Sequence, residues 1–118
     1  MMALGAATRI YLSAGATDLR KSFEGLSDLV RHRLHEDPLS GHVFVFANRR
    51  KTRLKILYWD GSGLWVCTKR LEEGCFSWPW TAGLPNGALR MVAEELTLLL
   101  SGIDLEKTHR RPWWRKAA

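Results

Sequence analysis

Apolar residues in this chain repeat with two different periods, and the switches between them divide it into elements. Arg9-Ile10-Tyr11-Leu12-Ser13 is a short run of β-forming residues ended by Ala14-Gly15-Ala16, which predicts a strand. Thr17 or Asp18 then offers a side-chain oxygen as a helix N-cap. After Leu19, apolar residues return at Phe23, Leu26, Val30 and Leu34, in steps of four, three, four and four. That is the spacing of one helix face, and it predicts a helix running to about His35. Glu36-Asp37-Pro38 ends it, because a proline disfavours helical geometry at the residue before it. From His42 to Ala47 the chain alternates Val43 and Val45 with Phe44 and Phe46, a strand with two apolar faces. Asn48-Arg49-Arg50-Lys51 follows as a polar turn.

A second strand from Arg53 to Asp60 sets Leu54, Ile56 and Tyr58 against Arg53, Lys55, Leu57 and Trp59. Asp60-Gly61-Ser62-Gly63 is a hairpin signal, since its glycines accept positive φ, and Leu64 to Leu71 is the returning strand. With Gly61 and Ser62 as the central turn residues, Trp59 faces Leu64, Leu57 faces Val66, Lys55 faces Thr68 and Arg53 faces Arg70. Glu72-Glu73-Gly74 then turns the chain into Cys75-Phe76-Ser77-Trp78-Pro79, a fourth strand that Pro79 confines to an edge or ends. After a loop from Trp80 to Gly87, Asn86 or Gly87 caps a second helix. Its apolar stripe is Leu89, Val92, Ala93, Leu96, Leu99 and Leu100, with Glu94 and Glu95 facing water and Gly102 as the stop. The expected fold is α+β, an antiparallel β-meander of four to five strands packed against two helices. It forms a single domain over residues 1–105, followed by a flexible basic arm over residues 106–118.

Composition narrows what such a domain does. At 118 residues and 46% hydrophobic content the chain fills one core. No apolar run approaches the roughly 20 residues that cross a bilayer, and the N-terminus carries no leader pattern, so a cytoplasmic protein is expected. Cys67 and Cys75 form no Cys-x-x-Cys pair and are expected as small core residues on neighbouring strands. The formal charge is +6, and it is clustered. Between Arg49 and Arg70 stand seven cations, Arg49, Arg50, Lys51, Arg53, Lys55, Lys69 and Arg70, against Asp60 alone. The tail adds Lys107, Arg110, Arg111, Arg115 and Lys116 against Glu106. Clustered cations release condensed counterions when they neutralise phosphates, so a nucleic acid is the expected partner.

On the register above, Phe44, Phe46, Arg53, Lys55, Thr68 and Arg70 share one sheet face, where rings stack on bases and cations meet phosphates. The alternative is that both phenylalanines are core residues beneath a helix while the cations snorkel at the edge. Arg49, Arg50 and Lys51 at the turn tip need no such assumption. Arg110, Arg111, Arg115 and Lys116 bracket Trp113 and Trp114, which suits either an arm laid along a phosphate backbone or an anchor on a protein partner. Asp18, Glu24, Asp60, Glu72 and Glu73 occupy caps and turns without forming an acidic triad, so no catalytic residue is assigned. His32 and His35, next to Arg31 and Arg33, read as surface residues rather than metal ligands. No cofactor, small-molecule substrate or membrane contact is expected.

Four ordered runs carry a resemblance: Thr17-Asp18-Leu19-Arg20-Lys21-Ser22-Phe23-Glu24-Gly25-Leu26, Gly41-His42-Val43-Phe44-Val45-Phe46, Arg53 to Gly63, and Lys69 to Pro79. With Leu99-Leu100-Ser101-Gly102-Ile103-Asp104 as a fifth, they resemble the TnpB accessory family of insertion-sequence 66 type transposable elements, over about Arg9 to Asp104. The resemblance implies a bacterial accessory factor for transposition, distinct from the longer RNA-guided nuclease of the same name. Its expected protein partners are the element's own, larger transposase and the other accessory protein. The expectation is therefore a non-catalytic factor that binds DNA through Arg49 to Lys55, Lys69, Arg70 and the arm. The competing reading is an adapter that recruits the transposase through Trp113 and Trp114.

Overall fold

The computed structural model describes residues 7–78, 87–102 and 115–116. In chain order the elements are β1 (Ile10–Ser13), α1 (Phe23–His32), β2 (Val43–Ala47), β3 (Arg53–Trp59), β4 (Leu64–Arg70), β5 (Ala88–Met91), α2 (Ala93–Leu100) and the two-residue β6 (Arg115–Lys116). The strands form one sheet in the order β4-β3-β2-β1-β5-β6.

The hairpin predicted from turn chemistry is present in the predicted register, with Trp59 opposite Leu64, Lys55 opposite Thr68 and Arg53 opposite Arg70. The purely antiparallel meander is not. β1 and β2 run parallel, Tyr11 beside Phe44, because α1 carries the chain back to the end from which it started. All other strand pairs are antiparallel, so the sheet is mixed.

Further expectations are corrected. Residues 75–78 form no strand; Phe76 instead turns inward, 3% exposed, with Trp78 packed beside it. The residues expected to open the second helix form β5, which pairs antiparallel with β1 and points Leu89 and Met91 into the core. α2 begins only at Ala93, where the Val92 backbone N–H donates to Glu95 Oε1 at 2.8 Å. Glu95 is therefore buried at this helix start rather than facing water. Within the expected arm, the backbone of Arg115 and Lys116 pairs with that of Arg90 and Leu89. Arg110, Arg111, Trp113 and Trp114 lie outside the described residues.

The central strands explain the layering. Every residue of β1 and β2 is buried, so both faces of the sheet need cover. On one face α1 lays Leu26, Val30 and the following Leu34 over Tyr11, Phe44, Phe46 and Leu57. On the other, Leu96 and Leu99 of α2, together with Phe76, cover Ile10, Leu12, Val43, Val45, Leu54 and Ile56. Phe44 and Phe46 are thus core residues, fully buried beneath α1, and offer no ring to a base. Gly102, at φ 74°, stops α2 in the left-handed conformation that glycine accepts. Among the described residues no helix is long and apolar enough to cross a membrane.

Truncating Phe46 to alanine removes a fully buried ring and is expected to cost about 3–5 kcal/mol in urea unfolding. Phe23→Ala, at a half-exposed ring, is expected to cost far less. An unchanged midpoint for Phe46→Ala would return that ring to the surface.

Candidate nucleic-acid interface

The turn between β2 and β3 is built by one side chain. Asn48 Oδ1 accepts the backbone N–H groups of Thr52 and Arg53 at 3.0 and 3.1 Å, and its Nδ2 donates to Thr52 Oγ1 at 3.1 Å. The Lys51 N–H closes the turn on the Asn48 carbonyl, and Lys51 takes a φ of 59°. Arg49 and Arg50 are left at the tip, exposed, with no carboxylate partner among the described residues. Lys51 is placed differently. Its carbonyl accepts the Phe76 N–H at 2.7 Å, and its ammonium lies 5.4 Å from the centre of the Trp78 ring. Partial burial holds its pKa below the ordinary lysine value. Lys51 therefore serves to fasten the turn to the 75–78 segment by a cation–π contact rather than standing free for phosphate.

Arg53, Lys55 and Arg70 share the α1 face of the sheet, as their alternation requires, while Lys69 points to the opposite face. There the Lys69 ammonium donates to the Leu100 carbonyl, supplying the last turn of α2 with a cation that its own sequence lacks. The basic pair Lys69-Arg70 is thus divided by the pleat into a helix cap and a surface charge. Lys55 Nζ donates to the Lys21 carbonyl at 3.0 Å. Arg70 reaches Glu72 only at 3.5 Å, with both side chains exposed. Arg53 has no ion-pair partner among the described residues, and it stands directly opposite Arg70, an arrangement in which like charges destabilise a sheet. Arg115 and Lys116 sit on β6, at the other edge of the sheet from β4, so these two described tail residues are not part of the hairpin cluster.

The connection between β1 and α1 contributes residues that charge counting passes over. Asp18 binds the Arg20 guanidinium through both oxygens, the shorter contact being 2.7 Å, and also accepts the Arg20 N–H at 3.0 Å. These bonds hold its pKa down at about 2. Asp18, Leu19 and Arg20 form a cleft with Asn48, Arg53, Lys55 and Thr68. The legible signal was the pair Asp18-x-Arg20, which reads first as a helix cap; the helix in fact starts four residues after Leu19, at Phe23.

Asp60 has a structural role. Its carboxylate accepts Ser62 N–H and Oγ–H, the Gly63 N–H and the Trp65 indole N–H, at 2.7 to 3.0 Å. The indole bond and the turn amides hold its pKa well below the usual carboxylate range. Cys67 is half-buried beside the core, whereas Cys75 is exposed, contrary to its expected core position. His32 and His35 are exposed. Among the described residues no three His, Cys, Asp or Glu side chains gather as a metal site.

Both depressed carboxylates fix the sign of the acid response. Their folded pKa values lie below the unfolded ones, so their contribution is complete above about pH 4 and declines as pH falls toward 2. Asp60→Asn is expected to lower the thermal midpoint at pH 7 and to flatten its fall between about pH 4 and pH 2. A mutant curve parallel to wild type through that window would exclude Asp60 as an acid-sensitive group.

Comparison with known proteins places this architecture. The family model described as IS66 Orf2 like protein, TnpB_IS66, matches residues 8–110. The chain is 41% identical to the uncharacterized protein y4jC of Sinorhizobium fredii over 104 residues, covering 88% of this chain and 86% of that protein. It is 38% identical to the uncharacterized protein y4hO of the same organism over 115 residues, covering 98% and 96%. No solved structure matches. With nearly the whole described sheet and both helices inside the matched region, the chain belongs to the IS66 Orf2-like family, whose members have an accessory role in transposition.

Proposed function

We propose that the protein is a non-catalytic accessory factor that binds DNA within the transposition complex, alongside the element's transposase. The observation that supports this most is the cationic end of the hairpin sheet: Arg49 and Arg50 exposed at the turn with no carboxylate partner among the described residues, and Arg53 set against Arg70, which reaches Glu72 only at 3.5 Å. A fold that gained nothing from these cations would be more stable with one of the paired arginines replaced by a neutral or acidic residue. Phosphate supplies the missing countercharge. Such contacts fix position and orientation on DNA while carrying little base information. The contact surface is then Arg49, Arg50, Arg53, Lys55 and Arg70. Lys51 and Lys69 support it from behind.

The adapter reading retains one observation of its own. Trp65 is 42% exposed while its indole is pinned by Asp60 at 2.7 Å, a pre-oriented aromatic of the kind that anchors protein interfaces. The two surfaces are separable, since Trp65 alternates with Val66 and so faces away from Arg53 and Lys55.

Charge reversal decides between them. In fluorescence anisotropy with a duplex from the element's end, Arg49→Glu combined with Arg50→Glu is expected to weaken binding more than about tenfold and to lower the salt slope by about 2. Capture of the transposase should persist. Unchanged duplex affinity in a folded double mutant would remove the turn from the DNA surface, and loss of capture on Trp65→Ala alone would favour the adapter.

A further inference from the structure

The cleft on the α1 face has a volume of about 470 Å³, and its position follows from the chain's path. β1 and β2 are parallel, so their carboxyl ends lie side by side, and the segment leaving β1 is held over them by the Thr17 N–H, which donates to the Ala47 carbonyl at 2.8 Å. The connection that leaves the β1 carboxyl end borders the crevice there. Here the crevice continues across the start of β3 and the end of β4, where Arg53, Lys55 and Thr68 face Asp18, Leu19 and Arg20, and Asn48 completes the lining.

The lining selects the ligand's chemistry. Asp18 and Arg20 neutralise one another, so the remaining charge is that of Arg53 and Lys55. Lys55 spends one of its ammonium donors on the Lys21 carbonyl and keeps the others. Arg53 keeps its whole guanidinium fork and is set against Arg70. An anion bound in the cleft beside Arg53 offsets part of the charge that Arg53 sets against Arg70. Thr68 adds an exposed hydroxyl, and Leu19 the one aliphatic surface of the lining. No aromatic ring lines the cleft, so it holds no stacking platform for a base. Cations, a hydroxyl and one aliphatic side chain suit the alternating phosphate and sugar of a nucleic-acid backbone.

Shape then separates two forms of DNA. A volume in the range of small-ligand pockets accommodates about one nucleotide of a single backbone. A duplex carries two backbones wound around stacked pairs and is too thick to settle into such a space, whereas the exposed turn bearing Arg49 and Arg50 projects toward one. We infer that the cleft takes the sugar–phosphate backbone of an unpaired DNA strand, leaving duplex contact to the Arg49–Arg50 turn. This rests on the DNA-binding reading above and assigns Asp18, Leu19, Arg20 and Thr68 to the site in addition to the cations.

The test measures anisotropy of the full chain on a labelled oligothymidylate of about 12 nucleotides, within the span that small single-strand binders cover, and on a blunt DNA duplex and an oligouridylate of equal length. Arg53→Gln is expected to weaken oligothymidylate binding about tenfold and duplex binding less than about twofold. Its thermal midpoint should equal or exceed that of wild type, since the like-charge pair is gone. Lys55→Gln should act in the same direction on the single strand, and Arg49→Gln with Arg50→Gln should give the opposite selectivity. Equal weakening of both probes by Arg53→Gln, or wild-type binding to duplex alone, would overturn the cleft assignment while leaving DNA binding intact. Absence of binding to either probe at low salt would overturn both, and a marked preference for oligouridylate would replace the DNA strand by RNA.

Discussion

The constraint on which the rest depends is that the central strands are apolar on both faces. β2 reads Val-Phe-Val-Phe-Ala and β1 is equally buried, so neither stands at a sheet surface open to water. Burial at about 25 cal/mol per Å² of apolar area drives a helix onto each side. Covering both faces dictates the order of events along the chain: α1 must pass over one side between β1 and β2, and α2 must return over the other after β5. The parallel pairing of β1 with β2 is the geometric result of the first passage, and the crevice at their carboxyl ends is its by-product.

The hairpin is where this cover thins. α1 shields Leu57 and, in part, Val66, but the same face continues to Arg53, Lys55, Thr68 and Arg70, whose polarity suits exposure. The cationic region is thus the continuation of the core face past the end of its helix. On the reverse face, Lys69 caps α2 and Lys51 packs against Trp78, so two of the seven cations between Arg49 and Arg70 hold the α2 side together. The charge cluster that looks uniform along the chain separates in space into a structural part and an outward part. Asp60, the one acid in that stretch, is consumed by its own turn and the Trp65 indole, and so does not neutralise the arginines.

That separation carries the functional argument. Membership of a family with an accessory role in transposition does not by itself indicate a contact surface; the proposed one rests on the arginine pair opposed at the sheet end. Like charges opposed in this way lower the local stability of the sheet. On the proposed reading, the division between a protruding turn and a recessed cleft fits DNA that is partly paired and partly opened.

What the sequence by itself determined was whatever local chemistry decides. Asp60-Gly61-Ser62-Gly63 specified the hairpin and its register, because a two-residue turn leaves one alignment of the flanking alternation. The helical face Leu26-Val30-Leu34 and the two-sided β2 were equally legible from period alone. The tertiary structure decided what depends on distant partners. The direction of β1 against β2 follows from where α1 docks, and Phe44 and Phe46 became core residues because α1 covers them. The stretch from Ala88 to Met91 joined β1 as a strand although Leu89, Val92 and Leu96 fit a helical period, since Leu89 and Met91 fit alternation as well. A four-residue window cannot separate the two periods, and the open edge of β1 settled the choice. Asp18, Leu19 and Arg20 belong to the cleft only because Thr17 is bound to Ala47, a contact thirty residues distant in sequence that no local pattern encodes.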